Sequence, residues 1–119
     1  MTTEITFPGI IAGMNGKFGL LRTHWTKRVK IRDTYVWWIK CKTKNRHAGA
    51  VKMTLTRHST RRMADYDNLV STGKNLVDAL VIAGVITDDN MNIIKEREYI
   101  QVKAKSKLEQ KTVITITDI

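Results

Sequence analysis

Between Asp67 and Gly84 the apolar positions Leu69, Gly73, Leu76, Leu80 and Ala83 alternate steps of four and three, and Val70 and Val77 widen the stripe. That spacing puts them on one face of an α-helix, and such a face has to be buried against another element. Gly84 suits the left-handed residue that ends a helix. The flanking segments supply the partner layer. Ala50–Arg57 alternates Val51, Met53 and Leu55 with Lys52, Thr54 and Thr56, the period of a half-buried strand, and Thr3–Phe7 alternates likewise. Asn92–Lys105 and Thr112–Thr117 are β-rich, and the polar turn Ser106–Lys111 between them predicts a hairpin. From about Trp25 to Lys42, Ile31, Tyr35, Trp38 and Ile39 recur at helical spacing, with Lys27, Arg28, Lys30, Arg32 and Lys40 on the other faces. Thr26 or His24 starts this helix and Asn45 ends it. The expected order is β-α-β-α-β-β, an α+β fold with two helices against a small mixed sheet. At 119 residues the chain is expected to be a single domain, residues 1–119.

Charge narrows the function. The net charge is +10, and it is unevenly spread. Residues 1–64 hold 14 Lys/Arg against Glu4 and Asp33, a balance of +12, whereas residues 65–119 hold seven against nine acids, a balance of −2. A basic surface favours polyanions, nucleic acid first among them. Cys41 is alone, which excludes an intrachain disulfide and suits a reducing compartment. No apolar run approaches the roughly 18 residues of a transmembrane helix, and no secretory signal is visible, so a cytoplasmic protein is expected. Gly9, Gly13, Gly16 and Gly19 punctuate a loop that is not a phosphate loop, because Phe18 follows Gly16-Lys17 and the earlier glycine is missing. His24, His47, His58 and Cys41 lack zinc-ligand spacing and read as structural.

In this basic chain the carboxylates stand out. Asp65-Tyr66-Asp67-Asn68 opens the second helix and Asp88-Asp89 follows its end. Asp65 and Asp67 fall on one side of an extended chain, roughly 6.5 Å apart. Carboxylates so placed repel unless a cation neutralises them, and hard oxygen ligands suit Mg²⁺ or Mn²⁺. Helix capping by one Asp and a solvated turn at Asp88-Asp89 are the structural alternatives.

The stretch Arg61-Arg62-Met63-Ala64-Asp65-Tyr66-Asp67-Asn68-Leu69, followed by Asp78-Ala79-Leu80, Ala83-Gly84 and Asp88-Asp89, resembles the RusA family of Holliday-junction resolvases. The likeness covers about 30 central residues, and Pro8 and Asn15 loosely match the family's N-terminal proline/asparagine loop. It implies a Mg²⁺-dependent, homodimeric endodeoxyribonuclease that resolves four-way DNA junctions by paired symmetric nicks, in DNA recombination and repair. The metal-binding carboxylates would be Asp65, Asp67 and Asp89, with Asn68 in the same motif. One departure concerns a functional lysine, which the family carries four residues after the second motif aspartate. Ser71 stands there, and about three extra residues between Asp67 and Asp78 make Lys74 its counterpart.

Arg57, Arg61 and Arg62 precede the carboxylates, where they could grip phosphates flanking the scissile one. Asn15 and Lys17 are further candidates for DNA contact. Trp25, Trp37 and Trp38 could stack on opened bases or pack in the core and at an interface. The other readings are a non-catalytic nucleic-acid-binding module and a metal-dependent nuclease acting on other branched DNA. A helix of some 18 residues spans roughly 27 Å, so carboxylates at its two ends are expected to meet across a dimer. The Leu69-Gly73-Leu76-Leu80-Ala83 stripe would then form the contact between antiparallel helices of two subunits.

Overall fold

The alternation in Val51–Leu55 builds the central strand of the molecule. In a computed structural model describing residues 1–9, 25–60 and 66–119, with backbone alone at 25 and 66–68, six main elements follow one another. They are β1 (Thr2–Pro8), α1 (Trp25–Lys42), β2 (Val51–Ser59), α2 (Tyr66–Ala83), β3 (Ile94–Lys103) and β4 (Lys111–Asp118). The fold is α+β, in the expected order. Among the described residues, no helix is long and apolar enough to cross a membrane. The N-terminal loop with Gly13, Gly16 and Gly19, and the basic run at Arg61 and Arg62, lie outside the described residues.

The strands form one mixed sheet in the order β1-β4-β2-β3. β4 pairs antiparallel with both β1 and β2, whereas β2 and β3 are parallel. The expected β3–β4 hairpin therefore does not form, because β2 lies between the two strands. Parallel neighbours need a crossover connection, and α2 supplies it from β2 to β3. The segment after β3 then passes the end of β2, through a short 3₁₀ turn at Lys107–Glu109. Ala104 N–H donates to Ser59 O at 3.0 Å, and Gln110 accepts from both Thr60 N–H and its hydroxyl. A polar link of this length fits a hairpin loop and a step over one strand equally well.

Both helices cover the same face. Ile5, Phe7, Met53, Leu55, Ile114 and Ile116 rise from the sheet to meet Val36 and Ile39 of α1 and Leu69, Leu76 and Leu80 of α2. Phe7 meets Tyr35 edge-to-face at 5.9 Å between centroids. The stripe of α2 is thus the core itself. Leu76 and Leu80 are fully buried within the chain, so the stripe cannot be the intersubunit contact expected from the sequence. Gly73 does allow a close approach, but to the sheet. A Cβ there would stand 2.8 Å from Leu55 Cδ1 and 3.3 Å from Tyr99 Cε1.

At its far end α2 closes with a Schellman turn. Gly84 has φ of +84°, its N–H donates to Val81 O, and Val85 N–H donates to Leu80 O, both at 3.0 Å. His47 lies in the core and joins three parts of the chain. Its Nε2 is 2.8 Å from Thr3 Oγ1 and its Nδ1 2.6 Å from Asp118 Oδ1. Asn45 Nδ2 also donates to Thr3 Oγ1, at 3.0 Å, and Nδ1–H of His47 donates to the Asp118 carboxylate, which can only accept when ionised.

Two predictions follow from these contacts. Gly73→Ala should destabilise the fold by about 1 kcal/mol or more in urea denaturation, because overpacking against fully buried Leu55 outweighs the better helix propensity of alanine. The hydrogen bond from His47, and then that from the Met1 ammonium, hold the Asp118 carboxyl below its ordinary range. A folded-state value below the unfolded one contributes stability above about pH 4, which is lost as pH falls through the folded value. Asp118→Asn should therefore flatten the acid limb of the stability–pH curve.

Candidate functional site

The expected carboxylates sit at the two ends of α2, yet the fold brings the distal one back. After Gly84 the chain does not continue away from the helix. Residues 84–93 return along its flank towards β3, and Asp89 reaches a cavity of about 360 Å³ beside Ser71, Lys74 and Val77 of α2 and Arg97 and Tyr99 of β3. Asp89 therefore lies alongside residues 70–77 of α2 rather than a full helix length from its start.

The turn is built by Asp88 and Asn90. Asp88 Oδ1 accepts from Asp89 N–H at 2.7 Å, and its Oδ2 accepts from Asn90 Nδ2 at 3.2 Å. Asn90 Oδ1 in turn accepts from the N–H groups of Asn92 and Ile93. The backbone hydrogen bond from Asp89 is the first cause holding the Asp88 carboxyl below its ordinary range. The two adjacent aspartates thus divide the work: Asp88 folds the turn and Asp89 lines the cavity. Arg97 fastens the arrangement, its Nη2 donating to the Asp89 carbonyl oxygen.

Charge in this region is mixed. The carboxyl of Asp78, half-buried on α2, is raised first by burial and next by the charge of Asp89, against the lowering effects of Lys74 and Arg32. Asp89 acts on it more strongly than either cation does. Lys74 is exposed and stands within no ion-pair distance of a carboxylate among the described residues, so its ammonium is not consumed by Asp78 four residues on. Ser71 and Lys74 both line the cavity, and only Lys74 carries charge there.

The other expected residues fall as follows. Asp67 and Asn68 are in the first turn of α2, on its described backbone. Helical repeat places position 67 on the stripe that passes through positions 70, 71 and 74. Arg57 lies near the carboxyl end of β2, half-buried, opposite Gln101 and Thr112 and on the side of Leu55 that α2 covers. That end of parallel strands is where open sheets place their ligands. Asp65, Arg61, Arg62, Asn15 and Lys17 lie outside the described residues. Among the described residues no three His, Cys, Asp or Glu side chains gather as metal ligands. Asp89, which lines this cavity, carries the hard oxygen donors that Mg²⁺ and Mn²⁺ take.

The tryptophans divide. Trp38 packs against the core, donates from Nε1 to Thr6 O at 2.9 Å, and carries the Lys42 ammonium 4.5 Å from its ring centre. Trp37 is 63% exposed, which leaves its ring accessible. Sequence reading missed Arg97 and Tyr99, whose setting Lys95-Glu96-Arg97-Glu98-Tyr99 reads as a solvated strand. No family model matches the chain, and no curated protein matches it.

The division between the adjacent aspartates is testable. Asp88→Ala should lower the melting temperature measurably, because Asp89 N–H and Asn90 Nδ2 lose their acceptor and the Asn90 side chain that accepts from Asn92 and Ile93 loses its support. Asp89→Asn should leave it unchanged or raise it, since relief of charge near Asp78 offsets nothing structural.

Proposed function

We propose that this protein is a Mg²⁺-dependent, structure-specific endodeoxyribonuclease that resolves four-way DNA junctions by paired symmetric nicks, acting as a homodimer. The observation that carries the reading is the cavity where Asp89 and Lys74 meet along the helix that Asp67-Asn68 opens. The basic first half of the chain supports it, and so does the ordered motif set shared with the RusA resolvases.

Each residue then has a role. Asp65, Asp67 and Asp89 would hold the cation, for which Mn²⁺ could substitute. When bound, Mg²⁺ supplies Lewis acidity at a phosphate oxygen and favours hydrolytic attack on phosphorus. Lys74 presents its ammonium to the same cavity, outside ion-pair distance of any carboxylate among the described residues, where it stabilises negative charge that grows on the scissile phosphate. Arg57, Arg61 and Arg62 grip phosphates on the strand that enters the site, and Asn68, Asn15 and Lys17 position the backbone around it. Arg97 holds the turn that carries Asp89. Without that anchor the carboxylate would sample positions away from the cavity, and misplacement by about 1 Å can cost a hundredfold in rate.

Electrostatics separates binding from cutting. Affinity resides mainly in the cations of residues 1–64, whereas the carboxylates repel DNA phosphates. With a labelled four-way junction, wild type should nick in Mg²⁺ and not in EDTA. Asp89→Asn should bind the junction at least as tightly and fail to nick. Lys74→Ala should slow nicking about 10²-fold or more, while Ser71→Ala does little. Nicking of flaps or forks in preference to junctions would move the reading to another branched substrate. Junction binding without Mg²⁺-dependent nicking would leave a nucleic-acid-binding module.

A further inference from the structure

A second cavity, of about 500 Å³, opens between the C-terminal ends of α1 and α2. Its rim carries Lys40, Lys44 and Arg46, its floor is Ile39, Ala83 and Val85, and no carboxylate lines it. All three cations are exposed, and none has a carboxylate within ion-pair distance among the described residues. A cation in the last turn of a helix also serves the helix dipole, which accounts for Lys40. It does not account for Lys44 and Arg46, which lie beyond the helix end.

These two cations stand on a segment that is already fixed. Thr43 N–H donates to Ile39 O at 3.0 Å, Asn45 N–H to Thr43 Oγ1 at 3.1 Å, and His47 N–H to Val85 O at 2.8 Å. Asn45 Nδ2 reaches Thr3 as well, and buried His47 is held from both ring nitrogens. Arg46 lies flat over Gly84, so closely that a Cβ at Gly84 would fall 2.2 Å from its Nη1. The guanidinium therefore rests against the Schellman turn of α2. Preorganised cations over an apolar floor suit a ligand with spaced anionic groups joined by weakly polar atoms.

We infer that this cavity is a phosphate-binding site for the sugar–phosphate backbone of a nucleic-acid duplex arm, separate from the Asp89 cavity. The cavity has no aromatic lining on which a base would stack, which favours backbone over base. From Lys74 to Ala83 is nine residues, a rotation of about 180° and a rise of about 13 Å. The two cavities consequently flank α2 on opposite sides, and one helix separates the strand being cut from the arm being held. The inference rests on the nucleic-acid part of the proposed function and not on cleavage.

The test measures junction and linear-duplex affinity in EDTA, from about 50 to 200 mM salt, for three charge-matched double variants. Lys44→Gln/Arg46→Gln should weaken binding and lower the slope of log K against log salt by about 2, since each phosphate contact contributes about 0.9. Lys40→Gln/Lys44→Gln, which leaves Arg46 over Gly84, should lower it similarly, so that a folding defect in the first variant does not decide the matter. Lys95→Gln/Lys107→Gln, on exposed lysines elsewhere, should change the slope by less than about 0.5. Equal changes in all three doubles would overturn the site in favour of diffuse charge. So would unchanged slopes in the cavity doubles, or tighter binding of polyglutamate than of DNA through the same residues. Wild-type nicking in Mg²⁺ is read separately. Nicking with equal slopes sinks only this inference, and a selective slope change without nicking sinks only the nuclease.

Discussion

Because Gly73 has no side chain, α2 can rest directly on Leu55 of β2 and Tyr99 of β3, and the rest of the molecule is arranged around that contact. It presses the Leu69-Leu76-Leu80 stripe into the sheet and makes β2-α2-β3 a parallel crossover unit. The crossover has a functional consequence. It carries the chain from the carboxyl end of β2 into α2, and it leaves the flank of α2 next to β3 open as a cavity. A side chain at position 73 would lift the helix and widen the gap that Ser71, Lys74 and Tyr99 now line.

The return of Asp89 depends on a second, smaller economy of parts. Asp88 and Asn90 use their side chains as backbone acceptors, which turns the chain tightly after the Schellman turn, and Arg97 binds the carbonyl of Asp89 from the edge strand. Asp89 is left to line the cavity with Lys74 and to act by its charge on Asp78. On the opposite flank of α2, the same C-terminal turn seats Arg46 over Gly84. One helix end therefore orders both a mixed-charge cavity and a purely cationic one, and the two differ in what they can hold. The first is lined by both an acid and a base, and the second by cations with neutral Thr43 and Asn45 and no carboxylate among the described residues.

Much of this architecture is legible in the residue pattern. The stripe and Gly84 mark α2 and its end almost to the residue, and the alternation in Val51–Leu55 marks β2. What covers a stripe is not written in it, because an apolar face that packs on a sheet and one that packs on a second subunit carry the same residues. The β3–β4 hairpin expected from the residue pattern fails for a related reason: Ser106–Lys111 has turn chemistry but no mark of how many strands it passes. Val36, buried between Tyr35 and Trp37, is hidden in a helix whose faces are nearly all basic or aromatic. At the site, Asp89 and Lys74 are visible as residue types at suggestive positions. Arg97 is not, since its partner is a backbone carbonyl that only the returning turn brings within reach.

The proposed function calls for carboxylates at the start of α2 and on the turn after it to address one cation, and the cavity beside Asp89 would let both come from the same chain. Paramagnetic broadening of backbone amide resonances by Mn²⁺ tests it most directly. Signals from residues 66–71 and 88–90 should broaden together at low Mn²⁺, recover on adding excess Mg²⁺, and persist far more in Asp89→Asn. Broadening of only one of the two segments, or a pattern unchanged by Asp89→Asn, would contradict it.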